Sequence, residues 1–141
     1  MTFPRSAHDT TLGLVYFARM LDKIRLLKRG ELPEDYLPMI SQGFDGRICR
    51  FLYIDYGGLR EREAQGGTDE EILEWCFANG RRPTEEEILV WNKYAVKFGW
   101  RDDDTGATGR LKGFMEKSGF GDREDVVTFF DYYDLDEGRR K

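Results

Sequence analysis

Apolar positions along this chain recur mostly three or four residues apart, the spacing of one helix face. The longest such run covers residues 12–27. A projection at about 100° per residue puts Leu14, Phe17, Met20, Leu21, Ile24 and Leu27 on one side. The other side holds Leu12, Val15, Tyr16 and Leu26, with Arg19, Asp22 and Lys23 among them. A surface helix keeps its charges on one face. Here both sides look covered, so these charges are expected out of open water, where they must be paired or meet a ligand. Asp9 or Thr10 is the predicted cap of this helix and Gly30 its stop.

Further elements follow from caps and breakers. Pro33 and Pro38 allow only a turn or two of helix between Leu32 and Ser41. Gly43-Phe44-Asp45-Gly46-Arg47 reads as a turn whose Asp45 caps a helix carrying Ile48, Phe51 and Leu52. Helix is preferred to strand for residues 47–54 because no second clear strand exists to pair with them. Asp55 caps a short polar helix that stops at Gly66-Gly67. Thr68-Asp69-Glu70-Glu71 and Thr84-Glu85-Glu86-Glu87 are two capping boxes. Each is followed by the same order, Ile72, Leu73, Trp75 and then Ile88, Leu89, Trp91. With Asn79-Gly80-Arg81-Arg82-Pro83 between them, they predict an αα-hairpin with both tryptophans buried. Two copies are too few for a solenoid. A helix with Leu111, Phe114, Met115 and Ser118 on one stripe comes next. A last helix, capped by Asp122, carries Val126, Phe129, Phe130 and Tyr133 and ends near Gly138. The expected fold is all-α: residues 1–141 as a single compact bundle of six or seven short helices.

Composition narrows the class. In 141 residues, 40% are hydrophobic and 14% aromatic, enough for a packed core. The net charge of −5 disfavours nucleic acid and anionic lipid as partners. The N-terminal residues lack the basic-then-apolar order of a signal peptide, and the run from Leu12 is too short and too charged to span a bilayer. Cys49 and Cys76 lie in apolar helix-like runs and read as buried free thiols, so a soluble cytoplasmic protein is expected.

Most site chemistries fail on residue count or spacing. His8 with Cys49 and Cys76 gives three ligands where structural zinc needs about four, so no metal is expected. Asp102-Asp103-Asp104 and Asp134-Leu135-Asp136 miss the glycine or the closing glutamate of a calcium loop. Gly106-Ala107-Thr108-Gly109 lacks the ending of a phosphate-binding loop, and no cofactor is implied. Cys49 has only His8 as a conceivable base. Phe129, Phe130, Tyr132 and Tyr133 lie on one helix beside Asp131 and Asp134, which suits core packing better than base stacking.

Arg19, Asp22 and Lys23 survive this sieve. They lie on adjacent turns of one face. In one reading Asp22 bridges both cations and braces the bundle. In the other, a cation is left for a carboxylate or phosphate, with Arg19 suited by its bidentate fork and Arg47 and Arg50 joining it.

Several segments together resemble a bacterial family known as a domain of unknown function. They are Arg19-Met20-Leu21-Asp22-Lys23-Ile24-Arg25, Leu32-Pro33-Glu34-Asp35-Tyr36, Gly43-Phe44-Asp45-Gly46-Arg47, Trp75-Cys76-Phe77-Ala78-Asn79-Gly80-Arg81 and Asp136-Glu137-Gly138-Arg139. The resemblance implies a bacterial, freestanding small protein and carries no site residues. Function therefore rests on the residues themselves. The first expectation is a protein binding a small anionic metabolite at Arg19, Asp22, Lys23, Arg47 and Arg50. The second is an interaction or self-association module using a patch around Trp75, Trp91 or Trp100. The third is an enzyme with Asp22 or Asp45 as acid or base and Lys23 or Arg47 in support.

Overall fold

The chain begins not with a helix but with a small hairpin. In the computed structural model, which describes residues 2–141, β1 (Thr10–Thr11) pairs antiparallel with β2 (Leu14–Val15). Leu12 and Gly13 between them take φ values of 48° and 82°. Positive φ at both central residues is the signature of the tight turn that suits strand twist, and Gly13 makes it cheap. The helix expected from Asp9 or Thr10 is delayed accordingly, and α1 runs from Phe17 to Lys28. Its far end follows expectation. Gly30 has φ 71°, its N–H donates to the Leu27 carbonyl, and that of Glu31 donates to Leu26. That pair of bonds closes the helix in a Schellman motif.

A 3-10 helix over Glu34–Met39, with Pro38 inside it, leads to α2 (Gly43–Leu52). Helix is confirmed over strand there, but it starts before Asp45, which sits in the first turn rather than at the cap. Then come α3 (Tyr56–Ala64), capped by Asp55, α4 (Asp69–Asn79) and α5 (Glu85–Lys97). Both capping boxes form. The Glu71 and Glu87 N–H groups donate to the Thr68 and Thr84 hydroxyls, and the glutamates accept from the Thr68 and Thr84 N–H groups. Trp91 is buried as expected, whereas Trp75 is only half-buried. In α4 the inward positions are Ile72, Leu73, Cys76 and Phe77.

A short 3-10 turn at Asp103–Thr105 precedes α6 (Ala107–Lys117), and the last helix, α7, covers Phe129–Asp136. Its cap is Thr128, not Asp122. Residues 121–127 are loop, in which Arg123 folds onto Asp125 through two bonds of 2.8 and 2.9 Å. The described residues thus form seven α-helices and one two-stranded sheet, a mostly helical fold.

Packing divides the chain into two units, one up to Leu89 and one over Val90–Lys141. In the first, α1 packs on β1, α3 and α4, and α2 on α3. Phe17, Met20, Leu21, Ile48, Leu52, Leu59, Ile72 and Leu73 lose all solvent contact there. In the second, α6 packs on α7, and rings interlock from Trp91 through Tyr94, Phe98 and Phe129 to Phe114 and Tyr132.

Candidate functional site

Lys23 and Asp45 meet in the interior of the first unit. The Lys23 ammonium donates to both Asp45 carboxylate oxygens, at 3.1 and 3.0 Å. Asp45 also accepts from the Tyr16 hydroxyl at 2.7 Å and from the Ser41 N–H at 3.1 Å. Asp45 is fully buried and Lys23 only 7% exposed. The chain delivers these groups by unusual means. Tyr16, at the junction of β2 and α1, has φ 79°, a conformation that costs a side-chain residue about 1–2 kcal/mol. Its N–H bonds to Ala7, its ring packs on Phe44, and its hydroxyl lands on Asp45. The partner of Lys23 is therefore Asp45, brought in from α2, where the local pattern pointed to Asp22. Such a pair, with its remaining oxygen valences filled, is chemically quiet.

Asp22 and Arg19 hold the N-terminal segment instead. The Asp22 carboxylate accepts from the Arg5 N–H at 2.9 Å, and the Arg19 guanidinium donates to the Arg5 carbonyl at 3.1 Å. Arg19 is 4% exposed and lies 6.0 Å from the Tyr36 ring centre. Arg5 extends the clamp by pairing with Asp9 and Asp69. Asp69 pairs with Arg25, Arg25 with Glu63, and Glu63 with Lys28. Arg47 lies 6.0 Å over Phe44, which links it through the Tyr16 ring to Asp45. Arg50 is exposed near the end of α2. Among the described residues, no buried side-chain nitrogen or oxygen lacks a hydrogen-bond partner.

Nucleophiles in this unit are suppressed. Burial, then the nearby Asp45 charge, pushes the Cys49 thiol up to about 12. Burial and the neighbouring Cys49 do the same to Cys76, also to about 12. Both stay protonated at neutral pH, so neither supplies the thiolate that covalent catalysis requires.

The second unit contains an open cleft of about 640 Å³. One wall is α6, contributing Thr108, Leu111, Lys112, Met115 and Glu116, and loops at Gly99–Asp103 and Gly121–Val127 supply the rest. The first loop is pinned to α6. The Thr108 hydroxyl donates to the Gly99 carbonyl and accepts from the Asp102 N–H, both at 2.7 Å. Arg101, with φ 57°, places its guanidinium 5.5 Å from the Trp100 ring, which is 48% exposed. At the other end Gly121 approaches the stem of Glu116; a Cβ there would lie 3.1 Å from its Cγ. Arg123 is committed to Asp125, whose carboxyl it holds well below the usual range. Arg101 and Lys112 form no ion pair among the described residues. This cleft is not legible in the sequence, because Arg101 and Lys112 lie 11 residues apart on separate elements. The only local signal was the i, i+4 pair Lys112 and Glu116 beside the apolar pair Leu111 and Met115.

A mostly helical chain, then, in which one unit neutralises its buried charges internally and the other leaves charge along a cleft. Residues 1–139 match the family model described as domain of unknown function DUF5069, and the chain belongs to that family. No curated protein matches it.

Proposed function

We propose that the protein binds a small molecule carrying a carboxylate or phosphate group, and that the group sits in the cleft of the second unit. The observation that carries this reading is the pairing of Arg101 and Lys112, both without a carboxylate partner, beside the exposed face of Trp100. The volume falls within the usual span of small-ligand sites, about 300–1,000 Å³. An arginine already stacked on an indole is ordered before a ligand arrives, so less rotamer entropy is lost on binding. The earlier candidates Arg19 and Lys23 are less suited. They are buried, Lys23 is neutralised by Asp45, and an anion would have to displace the N-terminal segment to reach Arg19. Arg47 and Arg50 belong to that first unit as well. Two buried thiols without a disulfide support a reducing, cytoplasmic setting for this activity. Among the described residues no helix is long and apolar enough to cross a membrane.

The test is titration with inorganic phosphate and short alkyl carboxylates, followed by NMR of the Trp100 indole N–H, assigned with Trp100→Phe. At least one anion should shift that signal. Arg101→Met with Lys112→Met should weaken its binding by roughly tenfold or more with little change in melting temperature. The reading falls if no anion moves the Trp100 signal, or if the double variant binds as the parent does.

A further inference from the structure

We infer that the ligand of this cleft is a zwitterion, with an ammonium group several bonds away from its anionic group and an apolar stem between them. The inference rests on the binding reading above and extends it to the other end of the cleft. Charge along α6 is sorted. Near Thr108, where the Gly99–Asp103 loop is pinned, the lining charges are Arg101 and Lys112 against one carboxylate, Asp103. One turn beyond Lys112, where Gly121 closes on α6, the lining carboxylate is Glu116, and Glu124 lines the cleft from the loop three residues after Gly121. The only cation at that end is Arg123, already spent on Asp125 and on the Lys141 carbonyl. Neither Glu116 nor Glu124 forms an ion pair among the described residues.

A purely anionic ligand would meet repulsion from these two carboxylates. A purely cationic one would meet Arg101 and Lys112. A molecule with both charges satisfies both ends, since each group gains a partner that the free protein leaves to water. Lys112 and Glu116 are four residues apart on one helix, so their backbone positions are separated by about 6 Å along the axis. The end pinned at Thr108, where the Arg101 loop is held, lies eight residues from Glu116, about 12 Å along the axis, a separation that favours an ω-amino acid with several methylenes over an α-amino acid, whose charged groups share one carbon. Leu111, Met115 and Val126 line the cleft between and beside the charged ends and give the methylenes an apolar bed.

The probes are 6-aminohexanoate, hexanoate and hexylamine, each titrated into the full chain and followed by calorimetry and by the Trp100 signal. 6-Aminohexanoate should bind roughly tenfold more tightly than either single-charge analogue. Glu116→Gln with Glu124→Gln should erase that advantage and leave hexanoate binding unchanged or improved. Both residues are solvent-exposed, so the variant should keep its fold. If hexanoate binds as well as 6-aminohexanoate, and does so through Arg101, the zwitterion inference fails while anion binding stands. If none of the three binds, and phosphate does not either, both fail together.

Discussion

The interior charges of the first unit and the cleft charges of the second are treated in opposite ways. In the first, Lys23, Asp45 and Tyr16 close on one another in the interior, and a chain of ion pairs runs from Asp9 through Arg5, Asp69, Arg25 and Glu63 to Lys28. In the second, Arg101, Lys112, Glu116 and Glu124 border an open cleft and form no ion pair among the described residues. A buried charge left unpaired is costly, so those of the first unit have become part of the fold. An exposed charge keeps its water and remains available, so those of the second can serve recognition. Charge-bearing residues are thus informative about ligands where they are accessible, and about architecture where they are not.

That contrast is sharpest in Asp45→Ala. It removes the carboxylate that the buried Lys23 ammonium pairs with, and urea denaturation should show a loss of about 3–5 kcal/mol. Lys23→Met combined with Asp45→Asn should recover more than half of that loss, because charge leaves from both sides while the Asn oxygen can accept from the Ser41 N–H and its NH2 can donate to the Tyr16 hydroxyl oxygen. A double variant as unstable as Asp45→Ala would mean the ion pair is not what Asp45 is there for. Next in size is Gly80→Ala. A Cβ at this position would sit 1.9 Å from the Leu52 carbonyl and 2.8 Å from that of Tyr53, where α4 ends against α2 and the Arg81 N–H bonds to Leu52. Backbone must shift to admit it, and stability should fall by about 3 kcal/mol, the upper range for overpacking.

The smallest effect concerns the capping boxes. Thr68→Ala and Thr84→Ala should each cost about 1 kcal/mol. Their partners add a pH signature. Glu71 is held below its ordinary 4.5, chiefly by the Thr68 N–H, and Glu87 likewise by that of Thr84 and by Arg81. A folded-state pKa below the unfolded one stabilises the fold above about pH 4.5, and the contribution fades as pH falls through the lower folded value. Acid melts of Glu71→Gln with Glu87→Gln, which cannot titrate, should therefore lose less stability between pH 5 and 3 than the parent does. Equal acid losses would show that the boxes do not couple to folding.

Much of the fold was legible in the sequence where information is local. Asp55, Thr68 and Thr84 cap the helices they were expected to cap, and Gly30 ends α1, because a cap needs only its own neighbouring amides. Errors arose where one local signal lost to another nearby or to a partner remote in sequence. Asp9 and Thr10 looked like caps, but Thr10 opens a hairpin turned by Leu12 and Gly13 and Asp9 precedes it. Asp45 had the spacing of a cap, yet it is drawn inward by Lys23 and Tyr16. Asp122 yielded its role to Thr128. That Arg19 and Lys23 leave open water was expected from the apolar pattern of residues 12–27, although Leu12, Val15 and Tyr16 of that pattern precede α1; their partners were not, since Arg5 and Asp45 lie 14 and 22 residues away.

By itself, then, the chain determined most of its helices, the caps at Asp55, Thr68 and Thr84 and the burial of Arg19 and Lys23, because periodicity and capping act over a few residues. Tertiary structure alone decided which charges neutralise one another and which remain along a cleft. That choice depends on distances between residues remote in sequence, and no local pattern encodes it.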